Sequence, residues 1–78
     1  MRTSSTLLVL TNARSTPMTI ILEPWGREWA FPAGASVEVK EAGEGVGNLE
    51  WRLGDHDLTI FGRTGTVVSV VQDGVEVM

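Results

Sequence analysis

Between Glu23 and Gly34 the chain carries two turn signatures of one form, Glu23-Pro24-Trp25-Gly26 and Phe31-Pro32-Ala33-Gly34. In each, proline takes the second turn position and glycine the fourth, the layout of a type I turn. Two corners this close leave room only for a short strand, Arg27 to Phe31. That strand carries Trp29, and Trp25 sits in the first corner. A chain bent twice within so few residues is built from short extended pieces rather than from helices.

The other segments agree. None repeats apolar residues at helical spacing over three turns, and glycine punctuates runs rich in Val, Ile and Thr. About eight short strands are expected. The first is Thr6 to Leu10, apolar on both faces, and a polar loop over Thr11–Pro17 follows. The second runs from Met18 to Glu23 and stops because Pro24 follows. The third is Arg27 to Phe31. The fourth, Ser36 to Glu41, alternates, with Val37 and Val39 on one face and Glu38 and Lys40 on the other. The stretch from Ala42 to Gly47 is too glycine-rich for regular structure. In the fifth strand, Asn48 to Leu53, alternation points Leu49, Trp51 and Leu53 inward and Glu50 and Arg52 to water. The sixth is Leu58 to Phe61. The seventh, Thr66 to Gln72, pairs with the eighth, Val75 to Met78, across Asp73-Gly74. That dipeptide suits a type I′ turn, whose two central residues need positive φ.

Residues 1–78 are therefore expected to form a single all-β domain. Its architecture is an antiparallel β-sandwich or jelly-roll-like small barrel, because strands without crossover helices bury an apolar face only by folding on one another. A chain this short buries only about 60–65% of the surface its unfolded form exposes. It has no cysteine to staple the fold or to ligate a metal. Small cores without staples gain support from oligomerisation. Strands one and seven are apolar on both faces, so each is either central in its sheet or covered by pairing with a second copy.

The formal net charge is −4, and the six basic residues are scattered. Phosphate recognition needs clustered Lys and Arg, which excludes nucleic acid and an anionic membrane surface as expected partners. The early apolar run, Leu7 to Leu10, is shorter than a signal peptide or a membrane span requires. A cytoplasmic location is expected.

Candidate chemistry is thin. Trp25, Trp29 and Trp51 could line a groove for a flat ligand. In a chain with two phenylalanines and no tyrosine, Trp29 and Trp51 are expected in the core instead. Trp25, in a corner, is open to a role in contact with a ligand or partner, together with Glu23, Arg27 and Glu28 around it. Those charges are expected to pair with one another or with turn amides, since acid–base work on a glycoside needs a larger cleft. Asp55-His56-Asp57 holds the single histidine. It has too few neighbouring ligands for a metal and no evident nucleophile, and is expected to be a solvated turn. The glycine-rich stretches precede no helix, so no phosphate cradle is expected. No catalytic residue, metal ligand or cofactor is assigned.

Two resemblances bear on this. Gly26 to Gly34 spells glycine, five residues, proline, one residue, glycine. This resembles the opening of the second conserved motif of cupins, which are small jelly-roll barrels. In that motif a metal-binding histidine and then an asparagine follow; the matching positions here hold Val37 and Glu41, and no His-x-His segment exists. The resemblance implies a cupin-like corner without the metal chemistry. The wider run Ile21-Leu22-Glu23-Pro24-Trp25-Gly26, with Glu28, Pro32 and Gly34, resembles a motif of small bacterial all-β proteins of no assigned activity. It implies the fold class and a bacterial origin.

The expected function is that of a non-catalytic β-domain acting through a protein partner or through self-association as a homodimer. The alternative is a cupin-like binder of a sugar or carboxylate, with a pocket lined by Trp25, Trp29 and Trp51.

Overall fold

A computed structural model describes residues 4–45 and 48–78. These form eight strands: β1 (Ser4–Thr11), β2 (Met18–Glu23), β3 (Arg27–Phe31), β4 (Ser36–Gly43), β5 (Glu50–Leu53), β6 (Asp57–Phe61), β7 (Thr66–Gln72) and β8 (Val75–Glu76). They make two four-stranded sheets, ordered β1-β4-β7-β8 and β3-β2-β6-β5. The architecture is a β-sandwich; the two sheets do not join into a closed barrel. No helix of the described residues is long and apolar enough to cross a membrane.

Most strand boundaries follow the alternation and the turn residues. The sequence-based boundaries differ at β1, which runs from Ser4 through Thr11, at β4, which continues through Ala42 and Gly43, at β5, which starts at Glu50, at β6, which starts at Asp57, and at β8, which ends at Glu76. Val46 and Gly47 of the glycine-rich stretch lie outside the described residues. The type I′ turn is present: Asp73 has φ 52° and Gly74 φ 78°. At the first corner Gly26 takes φ 67°, the left-handed position that closes three-residue hairpin loops. The second corner sits one residue later than expected. The Ala35 amide bonds the Pro32 carbonyl at 3.2 Å, and Gly34, third in that turn, carries the positive φ of 75°.

One pairing departs from an all-antiparallel sandwich. β2 and β6 run parallel, with Thr19 opposite Asp57 and Glu23 opposite Phe61. Backbone bonds extend this ladder past both ends, Thr19 N–H to His56 at 3.0 Å and Gly62 N–H to Glu23 at 2.6 Å. Alternation shows which face a residue takes, but not which strand lies beside it or in what direction. Parallel pairing arises here because the chain crosses to the other sheet and back between β2 and β6.

The core lies between the sheets. Ile20, Leu22, Leu58 and Ile60 face Val37, Val39, Val68 and Val70, closed by Phe31 and Met78. Each fully buried side chain of this kind contributes about 2 kcal/mol of transfer free energy. Trp29 packs against this core and stacks on Phe31, ring centroids 6.0 Å apart. One end of the sandwich gathers the connections 12–17, 32–35 and 54–56 with the turn at Asp73. The other end gathers the Pro24–Gly26 corner and the segment 62–65.

Candidate functional site

The sandwich is open along one side. Trp51 pairs with buried Ile60 and Leu53 with buried Leu58. Directly opposed residues share a face, so both side chains belong to the inner face of their sheet. Yet Trp51 is 53% exposed and Leu53 73% exposed. The expectation that this strand is buried on one face is thus corrected. Its apolar face points inward, but β5 is an edge strand and nothing among the described residues closes over it. The uncovered space is an apolar groove of about 290 Å³, lined by Leu10, Thr11, Met18, Phe31, Trp51, Leu53 and Leu58. Its opposite lip is β1, the edge of the other sheet. On the outer face β5 is polar, with the Arg52 guanidinium 5.6 Å from the centre of the Phe61 ring.

The residues singled out around the first corner do not form this groove. Trp25 is 40% exposed and lies over Gly62, at the end of β6. A Cβ on Gly62 would come within 2.4 Å of its ring, so the ring can rest there only while position 62 has no side chain. Glu23 is half-buried, while Arg27 and Glu28 are exposed. Among the described residues no ion pair or side-chain hydrogen bond joins Glu23, Arg27 and Glu28, so the expected pairing is absent. Beside Trp25 a polar recess of about 300 Å³ is lined by Asn48, Glu50, Phe61, Gly62, Arg63 and Thr64. The three tryptophans therefore occupy three places: Trp29 the core, Trp51 the groove, Trp25 the corner.

His56 is exposed at the turn between β5 and β6, and Arg14 donates to the neighbouring Asp55 carbonyl. Among the described residues no group of three metal-ligating side chains converges.

Two polar anchors escaped sequence reasoning. Asn12, in what reads as a polar loop, is 1% exposed. Its side-chain amide donates to the carbonyls of Thr16, Phe31 and Pro32 at 3.0–3.2 Å, and its Oδ1 accepts the Arg14 amide at 3.0 Å. Its backbone bonds Gly34 and Ala35. It ties the end of β1 to the second corner, next to the groove. Glu41 continues the inward face of Val37 and Val39 and is buried. Arg63 holds it with two bonds, Nε to Oε2 at 2.9 Å and a closer one from the terminal nitrogen to Oε1. The Arg63 guanidinium, helped by Thr66, holds the Glu41 carboxyl below the ordinary carboxylate range against the opposing effect of burial. A carboxylate so engaged is not free to act as a general base. The Asn12 bonds to Arg14 and Thr16 are those of an ordinary loop asparagine, and no local signal marks either anchor as buried, because Phe31 and Pro32 for Asn12 and Arg63 for Glu41 lie far along the chain.

No protein-family model, curated protein or solved structure matches the chain.

Proposed function

We propose that this protein is a non-catalytic interaction module that receives an extended polypeptide segment along its open side. One observation carries the proposal: β5 presents inner-face Trp51 and Leu53 to solvent beside β1, whose outer edge pairs with no other strand among the described residues. A strand laid along β1 would satisfy free backbone groups, and its side chains would cover the groove. This is strand addition, in which main-chain bonds supply affinity and alternate side chains supply specificity. Tryptophan exposed in a concave apolar setting is a favoured anchor for such contacts.

The test uses Trp51 as reporter, with Trp25 and Trp29 replaced by phenylalanine. A blocked, uncharged peptide alternating leucine and threonine should shift Trp51 emission to the blue and shield it from quencher, saturably. An amphipathic helical peptide should not. Absence of any response to the extended peptide, at dilutions where the chain is monomeric, overturns the proposal.

A second reading is favoured by the groove's size alone: a small apolar molecule seated on Trp51. A sugar or carboxylate fits it less well, since the Thr11 hydroxyl and the Trp51 indole N–H are the polar side-chain groups among the lining residues and none is charged. A saturable response to an apolar aromatic probe, with none to the strand peptide, would select this reading.

A further inference from the structure

We infer that the segment received at the open side is β1 of a second copy of this chain, paired antiparallel to β1 across a twofold axis. The inference rests on the interaction surface proposed above and names its partner.

The four sheet edges are unequally protected. Natural edges are blunted by shortness, charge, proline or bulges, since an unprotected edge invites indiscriminate pairing. β8 has two residues, β3 carries Arg27 and Glu28, and β5 carries Glu50 and Arg52. β1 runs for eight residues with no charge and no proline. Its register shift between Thr6 and Leu8 is the single blunting device, and it leaves Leu8–Thr11 regularly paired with β4. On the outer face Val9 is 62% exposed.

The charge distribution selects a like partner. Two chains of net charge −4 repel, least where neither brings net charge. β1 is neutral, and on its neighbour β4 Glu38 and Lys40 offset each other at 3.8 Å.

The pattern also fits. Trp51 and Leu53 need a strand whose inner face is apolar. Leu8 and Leu10 lie opposite buried Val39 and Val37, so they are the inner face of β1. The groove already joins Leu10 to Trp51 and Leu53, so a second β1 paired to this edge brings a further Leu8 and Leu10 to the mouth of the groove. Antiparallel self-pairing is isologous and closes. Each copy's β1 edge is consumed, whereas pairing β1 with a different edge would leave one free to propagate.

Sedimentation equilibrium over a wide concentration range tests this. The wild-type chain should associate to twice its mass and no further. Val9→Lys places like charges near the axis, and Leu53→Lys puts a charge under the added strand. Each should weaken the dimer about tenfold or more. Val67→Lys, exposed on β7 within the sheet, should leave it unchanged. Circular dichroism identifies any variant that is unfolded, and Leu53→Lys carries the test if Val9→Lys is. A dimer indifferent to both substitutions overturns the inference, as does a wild-type monomer at high concentration. A monomer that still binds the strand peptide leaves the interaction surface standing; one that binds none removes both.

Discussion

Each end of the sandwich buries a polar anchor, and the two anchors are opposite in kind. At the end beside the groove, Asn12 is neutral and bonds mainly backbone carbonyls. At the other end, Glu41 and Arg63 are charged and bond each other. The neutral anchor fixes the path of two connections and is indifferent to protons. The charged anchor links β4 to the 62–65 segment, and its worth depends on the ionisation of Glu41. Both obey one rule, that buried polar groups must be satisfied. The comparison shows that satisfaction by backbone gives geometry and satisfaction by charge adds pH dependence.

The largest expected effect lies at the neutral end. Asn12→Ala removes one donor group shared by three carbonyls and the acceptor for Arg14 N–H. A loss of about 3 kcal/mol is expected in urea unfolding, the same from pH 5 to 8. A loss that varies across this range would end the contrast between the two anchors.

At the charged end the readout is the slope of stability against pH. The folded-state value of Glu41 is depressed, so its contribution is present above the unfolded value of about 4.3 and is lost as pH falls through the folded value. In Arg63→Met the guanidinium is gone, and burial outweighs the remaining help from Thr66 and pushes the Glu41 carboxyl up. That variant should therefore trail wild type most at neutral pH and close the gap on acidification. Glu41→Gln should show neither dependence. Parallel pH profiles for wild type and Glu41→Gln would show that the pair is uncoupled from folding.

The smallest effect concerns the corner over the same end. Gly62→Ala drives a methyl into the Trp25 ring, which is partly exposed and can swing outward. A cost of about 1 kcal/mol is expected, with Trp25 emission moving to the red. Unchanged emission would mean that the ring does not rest on Gly62.

The strands were legible because alternation and turn chemistry are local. Arg27–Phe31 between its corners and Asp73-Gly74 between β7 and β8 stand as the residues alone suggest. What was not legible depends on distant partners. Leu53 has the right spacing for a core face, but alternation cannot show whether a facing strand exists. Asn12 looks like any loop asparagine until Phe31 and Pro32 come beside it. Glu41 continues an apolar face and is tolerated there through Arg63. The corner residues Glu23, Trp25, Arg27 and Glu28 stand out by composition, while the groove is made by Leu10, Met18, Trp51 and Leu53 from three separate strands.

The parallel pairing of β2 with β6 sets the order in which the molecule can assemble. β2 and β3 can form a hairpin early, but the ladder from Thr19–Asp57 to Glu23–Phe61 waits for the chain to have passed through β4 and β5. β1 likewise waits for β4. Closing such long loops before any contact rewards them makes folding slow for a chain this small. During synthesis the apolar Leu7–Leu10 segment emerges well before its partner. Its exposure to neighbouring nascent chains is a feature of the topology itself.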